Sequence, residues 1–241
     1  MPSSPAGTAI VWLHGYSGTA AATRANEIDL LDVADAAGIT VVWAQGSGAT
    51  PAWAATDACC WLAGAPVPDD VAYLSRILDA LERSGHHTIY LVGSSNGGFM
   101  VHRAALELGN RLAGVASLKG ATWLDVAKHT PVAPVPLLHV HGTADTSIRP
   151  EGGTWNQALG AHPSVTTGLE RWIGTNGAGA QTAGASGWVA TTGDHEVSAN
   201  YWPGEYRVER WDVVDGDHFV AWTPEFYARL VTWLTTHGRT P

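Results

Sequence analysis

The chain has 241 residues, 45% apolar and only 15% charged, with 28 glycines and 12 tryptophans. That is enough apolar material for a sizeable core and excludes a disordered chain, which needs low hydrophobicity and high charge. A net charge of −9 with no lysine or arginine cluster argues against nucleic-acid binding, and no apolar run reaches the roughly 18–20 residues of a membrane-spanning helix.

The first residues, Met1-Pro2-Ser3-Ser4-Pro5, show neither the basic nor the apolar region of a signal peptide. The expectation is a cytoplasmic chain, or a secreted one whose leader has been removed. Ala9-Ile10-Val11-Trp12-Leu13 is a continuous apolar run and reads as a buried strand ending at His14-Gly15. Thr23 is placed to cap a helix with Ile28, Leu31 and Ala34 on its buried face, stopped by Gly38. Thr40-Val41-Val42-Trp43 is a second strand. Residues 44–67 show no period, and their alanine, glycine and tryptophan content predicts an ordered functional loop.

Asp69-Asp70 suits the positive N-terminus of a helix carrying Val71, Leu74, Ile77, Leu78 and Leu81, which ends near Gly85. Thr88-Ile89-Tyr90-Leu91-Val92 is a third strand. After Gly93 the pattern turns helical through Phe99, Val101, Ala104 and Leu108. Val115–Leu118 and Leu137–Val140 read as further buried strands, and a short helix is expected over 151–160. Residues 174–195, rich in Gly, Ala, Ser and Thr, read as a flexible surface loop. Tyr206 to Val214 alternates as the last strand, and Thr223-Pro224-Glu225 opens a final helix with Phe226, Leu230 and Trp233 inward. Strands alternating with helices predict a mostly parallel sheet covered on both faces, in one domain over residues 1–241.

The two cysteines, Cys59 and Cys60, are neighbours. They exclude a disulfide framework and, without a second pair, offer no tetrahedral metal site. A bridge between neighbours holds its Cα atoms closer than disulfides usually do, so two reduced thiols are expected.

Gly93-Ser94-Ser95-Asn96-Gly97 is the chain's one G-x-S-x-G. Chance alone supplies roughly 0.2 such pentapeptides in a chain this long. Its place between an apolar strand and a helix is what a nucleophile elbow requires, and the helix N-terminus behind it favours negative charge. A serine hydroxyl needs a base, and the base an acid, in the chain order serine, acid, histidine. Asp145, in His141-Gly142-Thr143-Ala144-Asp145, follows one strand, and His218, in Asp215-Gly216-Asp217-His218-Phe219, follows the last. All three fall at carboxyl ends of strands, where open α/β sheets place their sites. Glu151 and Asp125 are alternative acids and His195 an alternative base, less well placed. Asp215 and Asp217 read as shaping the turn around His218. His14, His139 and His141 read as hydrogen-bonded structural histidines. Donors for an oxyanion would be the N–H groups of Asn96, after the nucleophile, and of Tyr16, in His14-Gly15-Tyr16-Ser17-Gly18.

Taken together, His14–Gly18, Ala58-Cys59-Cys60-Trp61, Asp69–Leu74, Gly93–Gly98, His141–Asp145 and Gly216-Asp217-His218 occur in an order that resembles the serine esterases related to feruloyl esterases and polyhydroxybutyrate depolymerases (carbohydrate esterase family 1-like). The likeness runs from about residue 8 to 236. It implies an α/β-hydrolase fold without a large separate lid domain. It also implies Ser95 as nucleophile, Asp145 as acid and His218 as base, with no cofactor and a small-molecule or polymeric ester as substrate. A peptidase or thioesterase on the same fold is the alternative, and a non-catalytic sugar or polymer binder a more distant one. The chain departs from the family in having no further cysteines and in the Phe219-Val220-Ala221-Trp222 that follows the histidine. Trp61, Trp123 and Trp222 flank loops on the predicted catalytic rim and are the candidate substrate walls.

Overall fold

The computed structural model describes residues 7–61, 66–125 and 129–239. Its framework is one eight-stranded sheet in the order β2-β1-β3-β4-β5-β8-β7-β6. β1 (Thr8–Leu13), β2 (Thr40–Ala44), β3 (Thr88–Ser94), β4 (Gly114–Leu118), β5 (Leu137–Gly142) and β8 (Val208–Val213) run parallel. β7 (Val197–Trp202) and β6 (Thr182–Ala183) continue the sheet antiparallel.

The central strands are apolar throughout because both faces are covered. In β1, Ala9, Val11 and Leu13 face one core, and Ile10 and Trp12 face the other. The first core is closed by α3 (Asp70–Arg83), α4 (Asn96–Leu108) and α5 (Val165–Thr175). The second is closed by α2 (Ile28–Ala36) and α6 (Pro224–His237), which pack on each other. Asp69 caps α3 by accepting from Ala72 N–H, and Thr223 caps α6 by accepting from Phe226 N–H.

Several expectations need correction. The helix expected from Thr23 is two helices. α1 (Ala20–Asn26) is capped by Thr19, and α2 starts after a break at Glu27, whose carboxylate accepts from Tyr227 of α6. Packing on α6 sets the register of α2, so Leu30 and Ala34 are buried while Ile28 is exposed. No helix forms over 151–160. Gly152 and Gly153 both take positive φ, and Gly153 pairs with His162 instead. The helix lies later, as α5, capped by Ser164, with Val165, Leu169 and Trp172 buried at i, i+4 and i+7. Residues 174–195 are tied down: they hold β6, Trp188 packs edge-on against Trp211, and Thr191 bridges to Trp222. Cys59 and Cys60 are joined to each other as a disulfide, not left as thiols. No described helix is long and apolar enough to cross a membrane.

Candidate active site

Ser95 sits between β3 and α4 with φ 56° and ψ −120°, a conformation that L-residues rarely adopt. Its neighbours make that turn possible by having no side chain. A Cβ on Gly93 would lie 2.3 Å from the Gly97 carbonyl oxygen, and one on Gly97 would lie 2.3 Å from that of Leu13. The sharp turn lifts Ser95 Oγ above the sheet edge, where it meets His218 Nε2 at 2.9 Å. On the other side of the imidazole, Nδ1 is 2.7 Å from Asp145 Oδ2.

Asp145 and His218 come from loops after neighbouring strands β5 and β8, and these loops touch through glycine. A Cβ on Gly142 would fall 2.2 Å from the Gly216 carbonyl oxygen, which instead accepts from Ala144 N–H at 3.0 Å. The Asp145 side chain is fully buried. Burial by itself would raise its pKa. Hydrogen bonds from His141 and His218, the charge of His218 and the Ile148 N–H outweigh burial and hold the carboxyl well below the usual carboxylate range. Its Oδ1 accepts from Ser147 N–H at 2.8 Å and Ile148 N–H at 2.9 Å. Asp215 and Asp217 shape the turn as expected: Asp217 accepts from Phe219 N–H, and Asp215 N–H donates to Thr143 Oγ1.

The loop after β1 passes directly over Ser95, with Gly15 so close that a Cβ there would lie 3.3 Å from Ser95 Cβ. Among the described residues neither Tyr16 N–H nor Asn96 N–H is used in a hydrogen bond, so both remain available beside Ser95. Three side chains fix this loop. His14 Nε2 accepts from Gly46 N–H at 2.9 Å, so its Nδ1 carries the proton and donates to Gly15 O at 2.7 Å. Trp53 Nε1 donates to His14 O at 2.9 Å. The fully buried Asn96 amide clasps the Trp53 backbone on both sides, accepting from its N–H at 2.7 Å and donating to its carbonyl at 3.0 Å.

The sequence offered no signal for Lys119, which follows β4 with φ 55°. It is buried, and its ammonium donates to the His218 carbonyl at 3.0 Å, tying the histidine loop to the sheet. Burial lowers its pKa, against the pull of Glu27, Asp145 and Asp217.

A cavity of about 460 Å³ opens over Ser95 and His218. Tyr16, Ile148, Trp155, Phe219, Val220 and the Cys59–Cys60 disulfide give it apolar walls, and Lys119 and Ser147 give it polar points. The three tryptophans expected as walls lie elsewhere. Trp61 and Trp123 line a separate groove with Arg103 and His129, and Trp222 is buried, stacked on Phe226 at 4.0 Å. Trp155 takes their place, edge-on to Tyr16, and Phe219 stands 82% exposed at the rim. Of the alternatives, Glu151 and Asp125 are exposed, and the His195 ring bonds to Val214 O. Among the described residues no cluster of His, Cys, Asp or Glu could hold a metal ion.

Solved structures share this architecture. Acetyl xylan esterase from Aspergillus awamori superimposes with a TM-score of 0.67 over 97% of this chain and 91% of that one, at 14% identity. Arabidopsis thaliana SOBER1 superimposes with a TM-score of 0.58 over 95% of this chain and 98% of that one, at 15% identity. The chain has the α/β-hydrolase fold. In sequence it resembles NocK of Nocardia uniformis subsp. tsuyamanensis, a protein assigned as an esterase, at 33% identity over 157 residues. It also resembles the bifunctional acetylxylan esterase/xylanase XynS20E of Neocallimastix patriciarum, at 28% over 116 residues. The matched segments cover 63% and 47% of this chain but only 44% and 16% of those two proteins. No protein-family model matches the chain.

Proposed function

We propose that this α/β-hydrolase is a serine esterase that cleaves carboxylic esters through an acyl-enzyme. The observation that carries the reading is the row Ser95 Oγ, His218 Nε2, His218 Nδ1, Asp145 Oδ2, linked at 2.9 and 2.7 Å with Ser95 on a left-handed turn. In this reading His218 takes the Ser95 proton as Oγ attacks the ester carbonyl, and the buried Asp145 carboxylate stabilises the imidazolium. The N–H groups of Asn96 and Tyr16 receive the oxyanion, each contributing about 3–4 kcal/mol in the transition state. His218 then gives its proton to the leaving alcohol and activates the water that releases the acid. The esterase assignments of the matched proteins support the same chemistry.

The cavity supports a narrower substrate class. Trp155, Tyr16 and Phe219 offer flat apolar faces, which suits esters of aromatic acids such as ferulate or of short hydroxy acids, free or within a polymer. Organophosphonate labelling followed by intact mass tests the reaction. One adduct on the parent protein and none on Ser95→Ala is expected; an unlabelled parent sinks the reading. A panel of p-nitrophenyl acetate and of feruloyl and hydroxybutyrate esters then ranks the acyl groups. Equal rates for acetate and all larger acyl groups would sink the narrower class.

A further inference from the structure

Behind the acid lies a set of buried histidines that the reaction above does not use. His141 Nε2 sits 2.6 Å from the Ile148 carbonyl oxygen and 3.3 Å from Asp145 Oδ2. Both neighbours are acceptors, so Nε2 carries the proton and Nδ1 accepts. The group facing that Nδ1, at 3.0 Å, is His139 Nε2, which must therefore donate. A neutral imidazole has one proton, and burial pushes His139 well towards neutral. His139 Nδ1 is left as a bare lone pair, buried and with no partner among the described residues. A buried acceptor without a donor is costly, so native proteins rarely leave one.

The donor side of the chain can be traced from the opposite end. Trp172 Nε1 of α5 donates to His102 Nδ1 of α4 at 3.1 Å. Burial holds His102 neutral, with a pKa of about 4, so its single proton is on Nε2. The His102 and His139 ring centres are 5.8 Å apart, and no direct bond joins His102 to the unpartnered His139 Nδ1. Between α4, α5 and the end of β4, a cavity of about 10 Å³ is bounded by both rings together with Thr122 and Ser164. That is close to the roughly 10–15 Å³ that one water needs. A water there would accept from His102 Nε2–H and donate to His139 Nδ1.

We propose that Trp172, His102, a water in this cavity, His139 and His141 form a single-direction hydrogen-bond chain ending on the Ile148 carbonyl beside Asp145, with His141 as the positioning residue of the acid. The inference rests on the esterase reading for its consequence but not for its existence. Every proton in the chain points toward the turn that carries Asp145 and Ile148. The last N–H of the chain is bonded to the Ile148 carbonyl at 2.6 Å and lies 3.3 Å from the carboxylate oxygen that also faces His218. Asp145 is held by His218 and by the Ser147 and Ile148 N–H groups, while His141 holds the Ile148 carbonyl of that same turn and lies 3.3 Å from the carboxylate. Such outer partners fix an orienting group's rotamer, and the geometry of the Ser95–His218 pair depends on it.

Three measurements test this. In nitrogen-15 spectra of histidine-labelled wild-type protein, His102, His139 and His141 should each be the Nε2–H tautomer. A crystal structure should show one water bridging His102 and His139. His139 as Nδ1–H, His141 protonated on both nitrogens, or a dry cavity would overturn the chain. In turnover of p-nitrophenyl acetate, His141→Leu should lower kcat at least tenfold with KM within about twofold. His141→Gln, which keeps a donor near the Nε2 position, should restore kcat to within about threefold. A folded His141→Leu with wild-type kcat would overturn the positioning role. If His141→Leu fails to fold, the wild-type tautomers still decide. The tautomers do not depend on turnover, so their failure counts against the chain, whereas failed labelling of Ser95 counts against the esterase reading.

Discussion

Gly97→Ala probes how closely the elbow must approach the loop after β1. Alanine is otherwise the better helix residue, favoured over glycine by about 1 kcal/mol in a helix interior. Local propensity therefore predicts a gain. Packing predicts the opposite. The new Cβ would lie 2.3 Å from Leu13 O and 2.7 Å from His14 O, both backbone atoms that cannot rotate away. Normal contact is roughly 3.5 Å, so α4 and the β1 loop must part by about 1 Å. Overpacking of this kind costs typically 1–3 kcal/mol. At about 2–4 °C per kcal/mol for a chain of this size, Tm should fall by roughly 2–12 °C. The same displacement separates Tyr16 N–H from Ser95, and an ångström of misplacement costs on the order of a hundredfold in rate. Differential scanning fluorimetry and kcat/KM on p-nitrophenyl acetate read both effects. Gly174→Ala is the control: it lies in α5, a Cβ there meets nothing within 4 Å, and stability should hold or rise. If Gly97→Ala kept wild-type Tm and rate, the close approach would not govern the site.

Three further outcomes are expected. The folded-state pKa of Asp145 lies below its unfolded value, so the stability it contributes is fully present above about pH 4 and is lost as the pH falls further. Wild-type Tm should thus drop more steeply than that of Asp145→Asn between pH 5 and 2, and parallel curves would count against the buried ion pair. Lys119→Met removes a charge-assisted bond to the His218 carbonyl worth about 1.5–3 kcal/mol. Ester turnover should fall about tenfold or more while organophosphonate still marks Ser95 slowly, and an unchanged rate would show that the histidine loop holds its place without it. Alkylation of unfolded protein without reductant should tag neither Cys59 nor Cys60, and both after dithiol reduction. Two tags without reductant would mean free thiols.

Much of this arrangement could be read along the chain because its causes are local. A five-residue strand such as Thr88–Val92 followed by G-x-S-x-G specifies strand, turn and helix within one short stretch, and places Ser95 at a strand end. Asp145 and His218 could be placed likewise, since each follows a strand and a glycine. The expectation of a helix at 151–160 passes over the helical spacing of Val165, Leu169 and Trp172; Gly152 and Gly153 take positive φ in that stretch and no helix forms. The antiparallel β7 and β6 were not legible, because Val197–Trp202 lies beside a Gly/Ala/Ser/Thr stretch that carries no period of its own.

What the sequence determined by itself, then, is the order of the strands β1 to β5 and β8, the helices α3, α4 and α6 among them, and the strand ends at which Ser95, Asp145 and His218 stand. These depend on neighbours within a turn or two. The tertiary structure alone decided which aromatic rings reach the cavity, because Trp155 and Trp222 look alike in composition and differ only in which loop packs over them. It also decided the Lys119 clamp on His218, the Asn96 clasp on Trp53 and the meeting of His102, His139 and His141 behind the acid. Each of these joins residues from different strands or helices across the core, and no local pattern of charge or hydrophobicity records such a meeting.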